Sequence, residues 1–385
     1  MHDSVVAHVL TLSLVLVFSP HLSRILRLPT APIEIIIGSL LAFFSIIEES
    51  EKIFELLAYI GFLYLMFLAG LEVNLKSIFK MPRIYIIRSL YFLILLWTLA
   101  SFFGLIFDLQ PILIVVLPLI SIGILATLSK EYGKEVKWIK IAFLVGTLGE
   151  VLSIVALTIS EASSSVGFDE DLFYKILMLI TFLGMILALY ALFRALFWWY
   201  PELKSVLMPS DATNDGKYQD LRLAMGLFFI MIAIMKQLHL ELAFGAFIAG
   251  LFISTFFHHK KALEEKISSF GFGFLVPIFF IHVGASFALE NIFIDEVLRI
   301  TGIILFSMYT IRFISVYLLN RFLSRREMFS VALALSMPLT LMIAVATVGY
   351  GNHMIGIFDY YAVILASLVE VIISMIGIKL LANLK

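Results

Sequence analysis

Glu150 lies in Phe143-Leu-Val-Gly-Thr147-Leu-Gly149-Glu150-Val-Leu-Ser153, in the middle of an apolar run covering roughly 138–160. A carboxylate at such a depth in a bilayer is costly to ionise, near ~3 kcal/mol at a helix centre. A proton and a cation can therefore compete for it, and competition for one group is the basis of exchange. Two other runs carry residues that disturb a helix. One reads Pro118-Leu-Ile-Ser121-Ile-Gly123 and the other Ser336-Met-Pro338-Leu-Thr340. Proline deletes a donor and clashes with the preceding turn, while Ser, Thr and Gly ease backbone opening. Interrupted helices free carbonyls and helix ends that can bind a small ion. Glu150, Thr147, Ser121 and Gly123 are the candidate cation and proton ligands.

Two further ionisable groups are buried in apolar runs. Arg312, in Ser307-Met-Tyr-Thr-Ile-Arg312-Phe-Ile-Ser315, stays protonated and must find an acid or carbonyls. Glu150 and Glu370 are its candidate partners, and the sequence does not choose between them. Glu370 can balance Arg312, shuttle protons or face a subunit interface. Arg312 and Glu370 are accordingly expected to balance charge. His282, in Pro277-Ile-Phe-Phe-Ile-His282-Val-Gly284, reads as a packing residue, although an imidazole can also report pH. Glu34, Glu241, Lys236 and Glu72 stand near run ends and read as solvated interface residues. The abundant Phe and Tyr read as lipid-facing bulk and interface belts.

These residues need a membrane scaffold. The 385 residues are 62% hydrophobic and 14% charged, and their mean hydropathy is +1.07. Too few charges remain to cover a water-soluble domain, which points to an all-α polytopic membrane protein in contact with a lipid bilayer. Taking ~20 residues per span, about 13 apolar runs are long enough to be transmembrane helices. A formal net charge of −1 gives no reason to expect a nucleic-acid partner, and the absence of cysteine removes disulfides and thiol chemistry. No nucleophile–base pair or metal-ligand cluster suggests an enzyme, and no cofactor is expected. Met1-His2-Asp3 carries no cationic stretch, so a cleaved leader is not expected.

The chain also repeats itself. Ile33-Glu34-Ile-Ile-Ile-Gly38 returns as Leu240-Glu241-Leu-Ala-Phe-Gly245, and Met66-Phe-Leu-Ala-Gly70 as Phe280-Ile-His-Val-Gly284. Pro118-Leu119 returns as Pro338-Leu339, and Leu148-Gly-Glu150-Val151 as Leu368-Val-Glu370-Val371. Each segment recurs seven runs later, and an odd step reverses its sense across the bilayer. Residues 1–160 then form a first inverted repeat of six helices and 219–385 a second. Residues 161–218 supply a connecting helix and a cytoplasmic linker. Inverted repeats give the two near-equivalent conformations that alternating access requires. Basic residues in alternate loops, among them Arg24/Arg27 and Arg321/Arg325/Arg326, place the N-terminus outside and the C-terminus in the cytoplasm.

The stretches Phe67-Leu-Ala-Gly70-Leu-Glu72-Val-Asn74-Leu-Lys76 and Gly245-Ala-Phe-Ile-Ala249-Gly250-Leu, with Pro277-Ile-Phe-Phe-Ile-His-Val-Gly284, resemble the monovalent cation:proton antiporter-2 family, the NapA and Kef-type exchangers. The resemblance implies the NhaA/NapA-like antiporter fold, with two crossed discontinuous helices and interleaved core and dimerisation subdomains. It also implies a homodimer, elevator-type movement and a place in the cell (inner) membrane. Glu150 falls where the family places its ion-binding acid, but Gly149 stands where that family often has Asp, Asn or Gln. Arg312 falls near the family's late-helix basic residue. One acid with Arg, in place of two acids with Lys, looks more like an electroneutral exchanger of Na+ or K+ for H+. A Kef-like potassium efflux channel, a transporter-fold sensor and an organic-anion carrier remain open at this point.

Overall fold

A computed structural model of the chain describes residues 2–26, 28–47, 52–73, 81–133, 135–164, 184, 191–192, 195, 198–200, 218–238, 242–257, 261–287 and 292–383. Fifteen α-helices account for most of them. They are α1 (His2–Leu26), α2 (Thr30–Phe43), α3 (Lys52–Glu72), α4 (Arg83–Ile106), α5 (Pro111–Val116), α6 (Gly123–Tyr132), α7 (Lys137–Ser164) and α8 (Gln219–Gln237). Then come α9 (Leu242–Phe257), α10 (Lys261–Phe270), α11 (Val276–Ala285), α12 (Asp295–Ser315), α13 (Arg325–Leu335), α14 (Leu339–Gly351) and α15 (Ile357–Asn383). A π-helical turn, Gly271–Leu275, joins α10 to α11, and a 3-10 turn, Val316–Leu319, follows α12. Among the described residues, seven helical stretches are long and apolar enough to cross a membrane unaided. The apolar run at 172–199 and the linker to residue 217 lie almost wholly outside the described residues, as do Asn74, Lys76 and Glu241.

Helix ends follow local chemistry. Pro111 opens α5, where its missing N–H is not needed. Gly133, at φ 100°, ends α6 in a conformation few side chains tolerate. At the start of α13, Ser324 and Glu327 form a reciprocal capping box.

The chain divides into two compact units: residues 1–65, 74–157 and 271–385 form one, and residues 66–73 and 158–270 the other. Each contains a helix crossing so close that only glycine fits. In the first unit α2 crosses α11. A Cβ on Gly38 would stand 2.2 Å from the Ile281 carbonyl oxygen, and one on Gly284 2.0 Å from that of Ile35. In the second unit the end of α3 meets α9. There a Cβ on Gly70 would stand 2.0 Å from the Phe247 oxygen, and one on Gly250 2.0 Å from that of Phe67. Exchanging the repeats turns one crossing into the other. Gly70 then matches Gly284, in the sequence register, but Gly38 matches Gly250, five residues beyond Gly245. Gly245 instead packs against Met231 and Met235 of α8. Small residues recur along α9, so sequence matching alone settles on the wrong glycine.

One expectation about side chains is corrected. Glu34 is no solvated interface residue: it is 3% exposed and accepts a hydrogen bond from Ser19 Oγ at 3.0 Å. The aromatics divide: Phe18, Phe44, Phe102, Phe306 and Tyr317 are exposed, as lipid-facing side chains would be, while Phe67, Phe92, Phe244, Phe247 and Phe280 are buried.

Candidate functional site

The site lies in the first unit, where two helices break. The chain leaves helical geometry between α5 and α6, at 117–122, and again between α13 and α14, at 336–338. Pro118 stands in the first break. Pro338 is the cap before α14, and its carbonyl accepts the Met342 N–H at 2.8 Å. Each break leaves a half-helix carboxyl end on one side and an amino end on the other. The carboxyl ends belong to α5 and α13, the amino ends to α6 and α14.

The helix α7 holds the first break along one face. Ser153 Oγ accepts the Ile120 N–H at 3.3 Å, and Glu150 Oε1 accepts the Ser121 hydroxyl at 3.0 Å. A Cβ on Gly149 would lie 2.7 Å from Ile120 Cδ1 and 3.0 Å from Ile120 Cβ, and one on Gly146 2.7 Å from Ile122 Cγ2. Glycine at 149 is therefore what lets the unwound segment lie against α7. A bulkier Asp, Asn or Gln there has no room. The variant Gly149→Ala is expected to push Ile120 aside at an overpacking cost of about 1–3 kcal/mol. A lower melting temperature in detergent than wild type is the check.

The second break reaches the same carboxylate. Ser121 Oγ lies 3.3 Å from Thr340 Oγ1, in the first turn of α14. Since Ser121 gives its one proton to Glu150, Thr340 is the donor to Ser121. Glu150 is 1% exposed. A buried carboxylate, two hydroxyls in series and the amino ends of two half-helices thus share one locality, the polarity that helix dipoles favour for an anion.

Arg312 serves the opposite ends. It is fully buried, and its partners are backbone carbonyls, not the carboxylates that charge alone suggests. Nε donates to Leu335 O at 3.0 Å, Nη1 to Leu117 O and Met308 O at 3.0 Å each, and Nη2 to Leu119 O. Leu117 and Leu119 belong to the first break, and Leu335 ends α13. Among the described residues no ion pair joins Arg312 to an acid. A broken helix leaves terminal carbonyls without intrahelical partners, and the planar guanidinium fork reaches several at once.

The remaining expected residues take the following places. Thr147 donates its hydroxyl proton to Phe143 O at 2.7 Å within its own helix. Gly123 is the first residue of α6, and Ser336 begins the second break. Glu370 is buried, within electrostatic range of Arg312 but not hydrogen-bonded to it. His282 sits with its ring edge against Phe54, the centroids 5.0 Å apart. Ser153 was not foreseen, though it lies on the face of α7 that carries Glu150. Thr340 was foreseen only as a helix breaker.

The chain is similar to known proteins over nearly its whole length. A family described as "Sodium/hydrogen exchanger, transmembrane" matches residues 9–384. A putative Na(+)/H(+) antiporter of Bacillus subtilis, YjbQ, is 27% identical over 376 residues, covering 92% of this chain and 59% of that protein. This chain thus spans about three-fifths of that relative's length. The probable Na(+)/H(+) antiporter 3 of Methanocaldococcus jannaschii is 24% identical over 377 residues, covering 94% of this chain and 92% of the relative. The solved sodium proton antiporter MjNhaP1 of the same organism superposes with a TM-score of 0.68 at 19% identity, covering 99% of this chain and all of that one. That likeness shows the NhaA-like antiporter fold. The NapA and Kef-type proteins, to which the sequence motifs pointed, are another branch of the same fold. With a match running from residue 9 to residue 384, the chain belongs to the sodium/hydrogen exchanger family.

Proposed function

We propose that the chain exchanges a monovalent cation, Na+ or K+, for H+ across the cell membrane, with Glu150 as the shared carboxylate. The observation that carries this is the placement of a buried Glu150 where Ser121 and Thr340 bring the two breaks together. Among the described residues no three His, Cys, Asp or Glu side chains gather, so further cation ligands would be hydroxyl and carbonyl oxygens. That set suits a weakly held monovalent ion, with carbonyls replacing its hydration shell. The names of the relatives, all Na(+)/H(+) antiporters, favour Na+ as the cation.

The charge layout supports electroneutral exchange. Each half-helix carboxyl end carries about −0.5 of an elementary charge, and Arg312 contacts two of them. Its charge is thereby balanced without Glu150, which is left to trade one proton for one cation. Alternating access would use the inverted repeats, 1–160 and 219–385, with the connector between them. An elevator-type homodimer, N-terminus outside and C-terminus cytoplasmic, completes the proposal.

Purified protein in vesicles containing a pH dye, challenged with Na+, Li+ and K+ in turn, tests the function. A cation-driven pH change that does not depend on membrane potential is expected. Response to none of the three cations removes the exchange proposal, and a potential-dependent rate removes electroneutrality.

A further inference from the structure

A second buried acid stands on the helix that packs against the second break. Glu370, on α15, is fully buried, and among the described residues neither of its carboxyl oxygens has a hydrogen-bond partner. Ser336, where the second break begins, is equally buried, and its hydroxyl has no partner among the described residues either. Short contacts tie the two residues together. The Tyr309 hydroxyl donates to the backbone carbonyl of Glu370 at 3.0 Å and lies 2.9 Å from Ser374 Oγ. Ser374 in turn stands 3.4 Å from the Ser336 carbonyl oxygen.

The charged surroundings narrow what Glu370 can bind. From α12, Arg312 lies within electrostatic range of its carboxyl group, and the Tyr309 hydroxyl contacts its backbone. From α13 and α14, which also pack on α15, no titratable side chain occurs between Glu327 and Tyr350. On α15 itself Asp359 and Lys379 are more than two turns away. Four N–H donations of Arg312 already go to carbonyls. An ionised Glu370 would thus be a buried anion with no hydrogen bond, an arrangement proteins avoid. A metal cation would meet the guanidinium's positive charge. A proton neutralises the group without that repulsion.

We propose that Glu370 is a second proton-binding site, on the helix that packs against the second break, which sets the pH range of exchange and is distinct from the carboxylate that carries the cation. While Glu370 is protonated, Arg312 clamps Leu117, Leu119 and Leu335, holding both breaks. Loss of the proton creates an anion beside Arg312 that competes with those carbonyls for the guanidinium. The clamp loosens, and the breaks are free to rearrange. Raising the pH therefore activates exchange.

This inference rests on the exchange proposal, so its test has one arm that needs no transport. In that arm, infrared difference spectra between acid and alkaline pH are recorded for Glu150→Gln and for Glu150→Gln/Glu370→Gln. The first protein should show the carbonyl-stretch band of a buried carboxylic acid that disappears as pH rises, and the second should lack it. Identical spectra overturn the site, whatever the transport assays give. In the transport arm, Glu370→Gln in vesicles should keep the slow exchange of the acid range and lose the alkaline rise seen with wild type. An unchanged pH profile overturns the regulatory role. So does a folded variant silent at every pH, because Glu370 would then belong to the transport step.

Discussion

Replacing Arg312 with methionine is expected to leave little folded protein in detergent. Methionine fills similar space but has no donors, so the carbonyls of Leu117, Leu119 and Leu335 lose their partners. Each buried acceptor left unsatisfied costs about 1–3 kcal/mol. Three together take a large share of the ~5–15 kcal/mol that holds a typical fold. The loss also falls where helices are already interrupted, so no neighbouring turn can supply the missing bonds. Arg312→Lys restores the charge but not the fork, and one ammonium cannot serve all three carbonyls. Its melting temperature should lie between those of wild type and Arg312→Met. A methionine variant melting like wild type would show that the carbonyl clamp contributes nothing.

Glu150→Gln is the second large effect, and its signature is the opposite. Glutamine is nearly isosteric, and its amide oxygen accepts the Ser121 hydroxyl as the carboxylate does. Ser153 still holds the Ile120 N–H, and Gly149 still makes room for Ile120. Removing a buried charge also relieves desolvation. Stability should therefore hold or rise slightly. The amide cannot take up and release a proton near neutral pH, and it offers a cation no negative charge. Exchange should fall to the level of protein-free vesicles.

The breaks were legible because proline acts locally: Pro118 and Pro338 announce their interruptions without any tertiary information. Glu150 was legible for a similar reason, since a carboxylate deep in an apolar run has few innocuous explanations. The partners of Arg312 were not. Two of its carbonyls lie 195 and 193 residues away in the chain, and every residue has a carbonyl, so side-chain chemistry marks none of them. Acids drew the expectation because they are visible in sequence. The hydroxyl of Thr147 donates to the carbonyl one turn back, a local bond that the sequence does not mark, and its oxygen keeps acceptor capacity for a cation. Gly149 looked like a departure from a pattern; the contact with Ile120 makes it a packing requirement. The repeat itself was plain, but its register across α9 needed the backbone contacts of Gly70 and Gly250.

The measurement closest to the central claim is sodium-driven proton movement in vesicles carrying Glu150→Gln, compared with wild type at matched protein content. Wild type should change the internal pH on addition of Na+. The variant, eluting as a single folded species, should not respond at any pH. Retained pH-dependent cation exchange by Glu150→Gln would contradict the assignment of Glu150 as the shared carboxylate.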